Sequence, residues 1–436
     1  MSAASPLDLA IVGAGAAGIG AARSARSLGL SYRVFEAMGR TGGRAFTDHQ
    51  TFGLAWDVGC HWLHSGSVNP LRAIADELGH RYRADSMPMR VWNDDRWADE
   101  AATRELVASA ERCYAGVLAA GNEGRDVPAA TVVDASEPGL PLFRSWMDAE
   151  WGTALESISA LDAARYRDTD ENWPVEAGYG ALIARLAADV PVELSTPVSR
   201  IDWGTRPVRL TTAEGTVEAE AVVVTISTDV LASGRITFDP PLPDWKLEAA
   251  ASLPLGRANK VAFGTEARHL GVDQPAAITV PVATGTLMSF RLSPFGRDLA
   301  DGYLAGPLCK ELDTYGREAM IETARDALVA ALGSDVGKRI TATACSRWGA
   351  EPTILGGYAA ARPGQAHRRA DLRRPVGDRL FFAGEATSPD FYSTCHGAYS
   401  SGVAAAHDIG RALGCNENTR ERTQGSTLPL SQLNPG

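Results

Sequence analysis

Length and composition first limit what this chain can be. Its 436 residues are too many for one ordinary hydrophobic core and predict two interleaved domains. Contents of 45% apolar and 22% charged residues are ordinary for a soluble globular enzyme. The formal net charge of −11 disfavours nucleic acid and anionic membranes as partners and is compatible with a cationic substrate.

The N-terminal region and the cysteines indicate the compartment. The stretch from Leu9 to Ala22 is apolar, but no Lys or Arg precedes it, so the basic region of a signal peptide is missing. It is also too short to span a bilayer. The six cysteines are scattered without CxxC pairs, which argues against a disulfide framework and a zinc site. We therefore expect a cytoplasmic protein with reduced thiols, no membrane partner and no bound metal.

A dinucleotide-binding unit is the first predicted structure along the chain. Leu9–Val12 reads as a buried strand, the segment Gly13-Ala14-Gly15-Ala16-Ala17-Gly18 as a tight turn, and Gly20–Leu28 as a helix. A second strand, Tyr32–Phe35, ends at Glu36, whose carboxylate can accept the ribose hydroxyls of an adenosine. Glycines in this turn let the backbone approach a pyrophosphate at the helix N-terminus. The ordered sequence of strand, turn, helix, strand and acid predicts a dinucleotide site.

A second glycine pair follows directly in Gly42-Gly43-Arg44. A nicotinamide site does not require it. It suits a second loop packed against the same pyrophosphate, with the guanidinium as a fixed cation. The alternative is a solvated turn that ends in a surface arginine.

Helical patterns dominate the next part of the chain. Trp56–His64 is rich in aromatic and His residues and looks like a loop that meets a ligand. From about Pro70 to Tyr166 the spacing is helical, with breaks at 121–124 and 137–139.

Strand patterns return after residue 180. The predicted strands are Val190–Leu194, Val198–Trp203, Val208–Thr212 and Thr216–Ile226. The proline-rich run Asp239–Pro243 predicts a crossing between domains. Later elements are a helix over Gly316–Leu332, a buried strand over Arg379–Ala383 that leads to Gly384 and Glu385, and a helix over His396–Leu413. The polar stretch 416–436 predicts a flexible tail.

Lys260 is a notable candidate because the chain has 38 arginines and only four lysines. It lies in a strand-like pattern in which Val261 and Phe263 share the opposite face. One interpretation is an amine that holds a water beside a cofactor, a task for which Arg is a poor substitute. The other is a solvated lysine on an edge strand. Trp348 and Tyr358 stand in a loop-rich segment and either frame a flavin and a narrow slot or belong to an interface core.

Together these residues resemble the flavin-containing amine oxidase family, which includes monoamine oxidases, polyamine oxidases and lysine-specific histone demethylases. The resemblance covers about residues 7 to 413. The motifs that carry it are Gly13–Gly18 with Glu36, Gly42-Gly43-Arg44, Asp57-Val58-Gly59 with Trp62, Asn259-Lys260-Val261, Gly356-Gly357-Tyr358, and Leu380–Glu385 with His396-Gly397-Ala398.

The resemblance implies a noncovalent FAD and assigns residues to it. Glu36 is expected to bind the adenosine ribose, Arg44 and the glycine turn the pyrophosphate, Val198 the adenine side through its backbone, and Glu385 the central phosphate and ribityl region. Trp348 is expected to pack beside the isoalloxazine ring. The further residues expected to border the cofactor are Gly13, Gly15, Ala17, Gly18, Gly42, Gly43, His61, Trp62, Gly384 and Thr394.

The resemblance also assigns the catalytic side of the site. Lys260 matches the lysine that holds a water near flavin N5, Tyr358 matches one wall of an aromatic sandwich, and His64 matches a His of the substrate cavity. Thr394 stands where the second ring of the sandwich would be, so the slot is expected to be open on one side.

Two other positions depart from parts of the family. Gly357 replaces the cysteine that attaches FAD covalently in monoamine oxidases, which is why a noncovalent flavin is expected. Met38 stands where an arginine is common near the ribose acid, which leaves one phosphate or ribose contact open.

The implied reaction is removal of a hydride from the carbon next to an amine nitrogen. Burial among aromatic rings disfavours the ammonium form of the substrate, and the flavin takes the hydride and leaves an imine. Dioxygen then regenerates the cofactor with release of hydrogen peroxide, helped by Lys260. Histone demethylation ranks low because no long helical insertion is present.

Other functions stay open at this point. An L-amino-acid oxidase needs a cavity arginine for the carboxylate, with Arg90, Arg291 and Arg297 as candidates. A desaturase acting on a C–C bond would not need Lys260, and a flavin-bound scaffold would not turn over. The expected partners are a small-molecule amine substrate and dioxygen, and the open slot could admit a bulkier amine. Both a monomer and a homodimer are compatible with the sequence.

We expect an α/β fold in which a Rossmann-type FAD-binding domain is interleaved with a substrate domain of mixed sheet and helices. The FAD-binding domain is assigned to residues 1–80, 176–235 and 344–415, and the substrate domain to residues 81–175 and 236–343.

Overall fold

The computed structural model describes residues 5–84, 87–93, 95–266, 270, 275–282 and 286–414. The predicted flexible tail, 416–436, lies outside these residues.

The strands, in chain order, are β1 (Leu7–Val12), β2 (Tyr32–Phe35), β3 (Thr47–Asp48), β4 (Trp56–Asp57), β5 (Trp62–His64), β6 (Met89–Asn93), β7 (Arg96–Trp97), β8 (Asn172–Pro174), β9 (Val192–Glu193), β10 (Arg200–Asp202), β11 (Val208–Thr212), β12 (Gly215–Val224), β13 (Thr237–Asp239), β14 (Ala258–Thr265), β15 (Ala276–Pro281), β16 (Leu287–Leu292), β17 (Leu299–Ala305), β18 (Ile340–Cys345) and β19 (Leu380–Phe382).

The α-helices are α1 (Ala16–Leu28), α2 (Pro70–Glu77), α3 (Glu100–Asn122), α4 (Leu140–Trp151), α5 (Ala160–Arg165), α6 (Tyr179–Ala187), α7 (Thr228–Ala232), α8 (Asp244–Ser252), α9 (Gly306–Tyr315), α10 (Arg317–Leu332), α11 (Ser334–Lys338), α12 (Arg368–Arg373) and α13 (Cys395–Ala412). Within the described ranges, none of these helices combines the length and apolar character needed to cross a bilayer.

The first sheet places the predicted dinucleotide unit at its centre. Its order is β13-β10-β11-β12-β1-β2-β9, and β19 also pairs with β12. The pairs β1/β2, β1/β12, β2/β9 and β12/β19 are parallel, and β11 pairs with β10 and β12 in antiparallel register. Because the carboxyl ends of parallel strands share one edge, β1 and β2 bring the glycine turn and Glu36 together there.

Helices α1 and α13 pack against this sheet through small residues. A Cβ atom at Gly402 would lie 1.9 Å from the backbone oxygen of Ala17, and one at Gly20 would lie 2.4 Å from that of Tyr399. The two helix backbones therefore meet directly. Helix α1 begins at Ala16, four residues before the predicted start, so Gly18 and Gly20 lie inside the helix.

The second sheet carries Lys260. Its order is β18-β14-β17-β16-β15-β6-β7, and its neighbouring strands are antiparallel except for β15 and β6. Every residue of the inner strand β14 is buried. Helices α9 and α10 cover the face that carries Val261 and Phe263, and the segment 52–58 packs against Ala262 on the other face. Helices α3, α4 and α5 form a separate apolar cluster beside this sheet. The expected α/β class, with an interleaved mixed sheet and helices, is confirmed.

Two sequence-based boundaries were wrong. The first sheet continues past 235, because β13 pairs with β10 and α8 contributes Ala249 and Ala250 to the same core. The proline-rich run 239–243 thus connects two elements of one body, and the chain passes to the second sheet only before β14. At the other end, β18 extends the second sheet beyond 343. The rest of the domain division stays a prediction.

The predicted helix over Gly316–Leu332 is α10, the second of two consecutive helices. Gly316 has φ +98° and separates α9 from α10. Helix α9 precedes it, and the sequence pattern does not predict this helix.

The α1–α13 contact generates a stability prediction. Replacing Gly402 with Ala should lower the free energy of unfolding by about 2 kcal/mol or more, because the added methyl group collides with rigid helix backbone. Denaturant unfolding followed by circular dichroism measures this. Gly39→Ala is the control, since its Cβ would meet only Ser195 Oγ at 3.7 Å. Equal stability of both variants would contradict the predicted close contact.

Candidate active site

One elongated cavity of about 1150 Å³ joins the two sheets. At one end it is lined by the carboxyl ends of β1 and β2, where Val12 and Phe35 lie. At the other end it is lined by residues of the second sheet, including Lys260 and Tyr303. Its lining includes residues from both sheets and from the helices between them.

The glycine turn forms the first end of the cavity. Gly13 has φ +104°, and a Cβ at Gly18 would lie 1.9 Å from the backbone oxygen of Gly13. Gly13, Gly15 and Ala17 line the cavity as predicted, whereas Gly18 lies behind its wall and serves the close packing of turn and helix. Gly15 begins α1 without a side-chain cap, and nothing lies near a Cβ placed on it. The helix N-terminus is therefore open to an anion.

Glu36 lies at the end of β2, as predicted, and is 6% exposed. Its carboxylate accepts hydrogen bonds from the backbone N–H of Ala14 at 2.6 Å and of Met38 at 2.8 Å. Burial raises the pKa of Glu36, and these bonds counteract the increase. The acid thus braces the glycine turn and retains lone pairs for a ribose. Val198 lines the same end of the cavity.

The second glycine loop packs directly on the first. The Gly42 N–H donates to the Ala14 oxygen at 2.8 Å, and Gly42 and Gly43 both line the cavity. Arg44 donates to Glu385 at 3.0 Å, so the alternative of a solvated surface arginine is wrong. Glu385 also accepts the N–H groups of Ala359 and Ser393, each at 3.1 Å. This pair and Gly384 all line the cavity.

Lys260 is the buried cation of the site, with 2% exposure. Its Nζ atom donates to the Asp57 backbone oxygen at 2.9 Å and lies 2.7 Å from His61 Nδ1. Burial lowers the pKa of Lys260 to about 8, while Asp301 opposes the decrease by Coulomb attraction. The alternative of a solvated edge-strand lysine is therefore wrong, because β17 and β18 flank β14 on its two sides.

Three aromatic residues surround the space near Lys260. The hydroxyl oxygens of Tyr303 and Tyr358 are 2.9 Å apart, and the Tyr358 hydroxyl donates to the Ala149 oxygen of α4. Trp348 donates through Nε1 to the Val58 oxygen at 3.3 Å. All three aromatics line the cavity rather than an interface core.

The sequence analysis missed Tyr303. It lies directly opposite Lys260 in the β14–β17 register, so both side chains point to the same face. In the sequence, Tyr303 stands out only as a tyrosine in an apolar strand. Its place beside Lys260 depends on the pairing of β14 with β17, which the local sequence does not predict.

The remaining predicted residues also line the cavity. His64 Nδ1 bonds the Asn172 side-chain oxygen. Thr394 uses its hydroxyl to cap α13, accepting from Gly397 N–H at 3.0 Å. The Trp62 ring lies 4.4 Å from the His61 ring, centroid to centroid.

Comparison with known proteins identifies the family. A family model described as flavin containing amine oxidoreductase matches residues 135–410, and one described as an NAD(P)-binding Rossmann-like domain matches residues 11–78. The chain belongs to the flavin-containing amine oxidoreductase family. It is an FAD-dependent oxidoreductase that acts on CH–NH or CH–NH2 groups.

Similar proteins cover nearly the whole chain. Polyamine oxidase 2 of Arabidopsis thaliana is 30% identical, over 91% of this chain and 87% of its own length. Polyamine oxidase 4 of Oryza sativa subsp. japonica is 29% identical, over 94% of this chain and 90% of its own. A solved putrescine oxidase with bound putrescine covers 93% of this chain and 99% of its own, with a TM-score of 0.77 at 22% identity, which shows the shared fold.

The cavity suits FAD from end to end. The open helix N-terminus and Arg44 match a pyrophosphate, and the buried Glu36 carboxylate matches a ribose. Near Lys260, His61 Nε2 is a buried polar atom with no hydrogen-bond partner among the described residues, which fits a site completed by a ligand.

The role of Glu36 can be tested through the affinity for FAD. Glu36→Gln should weaken FAD binding by about 10- to 100-fold, because a hydrogen bond to a charged group contributes roughly 1.5–3 kcal/mol. Fluorescence titration of the apoprotein with FAD measures the dissociation constant. Glu193→Gln is the control, since that side chain pairs with Arg33 and is 34% exposed. Comparable affinities of the two variants would refute the ribose contact.

Proposed function

We propose that the substrate is an aliphatic diamine or polyamine, oxidised at a carbon beside a nitrogen with dioxygen as the electron acceptor. The observation that carries this proposal is a group of acidic side chains on the cavity wall, formed by Glu150, Asp168 and Asp170. Carboxylates in this position can hold a second ammonium group of a substrate whose first nitrogen reaches the aromatic residues.

Glu150 is central to this acidic group. Its side chain faces the cavity and stays accessible from it, and desolvation by the surrounding protein raises its pKa to about 8. Repulsion from Asp168 and Asp170 contributes to the increase. An ammonium group that enters the cavity would relieve both costs, because it supplies the opposite charge that Glu150 lacks.

Glu150 lies next to the residue that orients Tyr358, so helix α4 contributes to the binding of both nitrogens of a diamine. The preceding residue, Ala149, accepts the hydrogen bond of Tyr358 through its backbone oxygen. One helix therefore carries both the acid and the contact that orients an aromatic wall. We infer that a linear substrate, with its nitrogens separated by a short carbon chain, binds between them.

The aromatic residues prepare the reacting nitrogen. Tyr303, Tyr358 and Trp348 enclose it away from bulk water, which favours the neutral amine and its available lone pair. Bound FAD supplies the acceptor for a hydride from the adjacent carbon. The overall reaction converts the amine, dioxygen and water into a carbonyl compound, ammonia or a shorter amine, and hydrogen peroxide.

Lys260 is proposed to act in the reaction with dioxygen. Its ammonium lies in a buried site where negative charge develops as oxygen accepts electrons, and a fixed charge there needs no reorganisation. Arg291 contributes less, because its guanidinium pairs with Asp301, which is 3% exposed in its side chain.

An amino-acid substrate is not favoured. Such a substrate needs an unpaired arginine for its carboxylate, and the three candidates are engaged elsewhere. Arg291 pairs with Asp301, Arg297 donates to the backbone oxygens of Ala55 and Glu176, and the Arg90 guanidinium lies 4.2 Å from the centre of the Trp97 ring. The noncovalent state of FAD, the cytoplasmic location and the choice between monomer and homodimer stay predictions.

The experiment that tests the function is a peroxide assay with a panel of amines. Putrescine, spermidine and spermine should bleach the flavin under anaerobic conditions and release hydrogen peroxide in air, whereas an alkyl monoamine of equal length should react with a higher KM. Failure of every diamine and polyamine to reduce the flavin would refute the proposed substrate class.

The acidic group gives a prediction for KM. Glu150→Gln should raise the KM for putrescine about tenfold and leave that for butylamine unchanged, because only the diamine carries a second ammonium. Below pH 8 the wild-type Glu150 is largely protonated, so diamine affinity should increase from pH 7 to 9, and the variant should lose this increase. Glu156→Gln, in an exposed pair with Arg144, is the control. Parallel losses for both amines would contradict the assignment.

Lys260 gives a prediction for the oxygen reaction. Lys260→Met should retain FAD but slow reoxidation of the reduced enzyme by dioxygen about tenfold or more, because a preorganised charge is lost. Stopped-flow mixing of the reduced enzyme with oxygenated buffer measures the rate. Lys310→Met, at an exposed position, is the control. An unchanged rate would remove Lys260 from this step.

A further inference from the structure

The environment of His61 differs from that of the other residues around Lys260. Its side chain is 9% exposed and lines the cavity. Nδ1 lies 2.7 Å from the Lys260 Nζ atom, whereas Nε2 has no hydrogen-bond partner among the described residues. Nδ1 thus contacts the buried cation, whereas Nε2 is available for a hydrogen bond to a bound ligand.

The charge state of His61 follows from these neighbours. Burial is the largest cause that lowers its pKa well below the usual value, and the positive charges of Arg291 and Lys260 add to it. The ring is therefore neutral and carries one proton. Since Nδ1 accepts from the Lys260 ammonium, that proton resides on Nε2. An N–H donor that is buried without an acceptor is costly, which indicates that a ligand completes the site.

The cavity indicates which ligand this is. Cys60, His61, Trp62, Lys260 and Trp348 all line the cavity that also contains Glu36 and Arg44. Hydrogen bonds join Lys260 to His61 and Trp348 to the Val58 oxygen, so these side chains share one part of the cavity. Because Glu36 and the glycine turn would hold the ribose and the pyrophosphate, the part of the cavity beside Lys260 and Trp348 is left for the isoalloxazine ring.

We propose that His61 is a positioning residue that joins Lys260 to the cofactor: its Nδ1 atom holds the Lys260 ammonium, and its Nε2–H donates a hydrogen bond to an acceptor atom of the bound isoalloxazine ring. The inference rests on the family's FAD and not on the proposed substrate. It assigns to a histidine of this chain a direct protein contact between the buried lysine and the flavin.

Two consequences follow from the two nitrogens. A donor to the ring stabilises its electron-rich reduced form, so Nε2 should raise the midpoint potential of the flavin. An acceptor for the ammonium favours the charged form of Lys260, so Nδ1 should extend oxygen reactivity to higher pH. The charged and titratable groups that act on Lys260 are Asp301, Arg291, Asp57 and Cys60, and His64 also acts on His61.

Substitutions that each keep one of the two nitrogens separate these effects. In His61→Asn the amide oxygen can take the place of Nδ1, but no donor reaches the position of Nε2. In His61→Gln the longer amide can place a donor near Nε2, but the acceptor for Lys260 is lost. His49→Asn, at an exposed position, is the matched control.

The experiment uses the holoenzyme, reduced photochemically so that no amine is needed. His61→Asn should show a lower midpoint potential and an altered visible absorption spectrum of the flavin, while His61→Gln stays close to wild type in both. The pH at which reoxidation by dioxygen falls to half, near 8 for the wild type, should move to lower pH in His61→Gln and stay in place in His61→Asn.

Each readout can overturn its own part of the proposal. Wild-type spectrum and potential in His61→Asn would exclude the Nε2 contact, and a wild-type pH profile in His61→Gln would exclude the hold on Lys260. Loss of FAD from both variants, with FAD retained in His49→Asn, would make His61 a structural residue and refute the proposal. A failure of amines to reduce the wild-type enzyme would affect only the proposed substrate, since neither readout uses an amine.

Discussion

The site depends on the need to satisfy one buried ammonium group. Lys260 lies on the inner strand β14 of the second sheet, but its partners, the Asp57 oxygen and His61, belong to the segment that follows the dinucleotide unit. A buried charge without such partners would be very unfavourable. The contacts of Lys260 with the Asp57 oxygen and His61 therefore fix the second sheet relative to the first. They also help to set the shape of the cavity between the two sheets.

The segment that receives Lys260 is itself held from several sides. The Asp57 carboxylate accepts the N–H groups of Tyr179 and Gly180 at 3.0 and 3.2 Å, and it bonds the Thr47 hydroxyl at 2.6 Å. A Cβ at Gly59 would lie only 1.7 Å from the Arg44 backbone oxygen. The loop is thus held between the N-terminus of α6 and the second glycine loop, so the position of the ammonium is determined far from Lys260.

The sequence was most informative where one short segment carries a complete function. The glycine turn, Glu36, Arg44 and Lys260 could be singled out because each lies in a motif whose chemistry can be read from neighbouring residues. The structure brings them to one cavity, and their roles toward FAD stay predictions. Tyr303, Asp301 and Glu150 were missed because their meaning comes from strand register or from a helix placed by tertiary packing. The run 239–243 was misread for a related reason, since prolines mark the end of an element but do not say which body the next element joins.

The hydrogen bond from Tyr358 to the Ala149 oxygen has a consequence for how this enzyme can diverge. Helix α4 belongs to the helical cluster beside the second sheet, and none of its residues forms the nucleotide end of the cavity. Mutations that shift this helix would move Glu150 and change the orientation of Tyr358 at the same time. The residues expected to bind FAD would stay in place. The amine specificity of related proteins can therefore change through substitutions in one helix while FAD binding is retained.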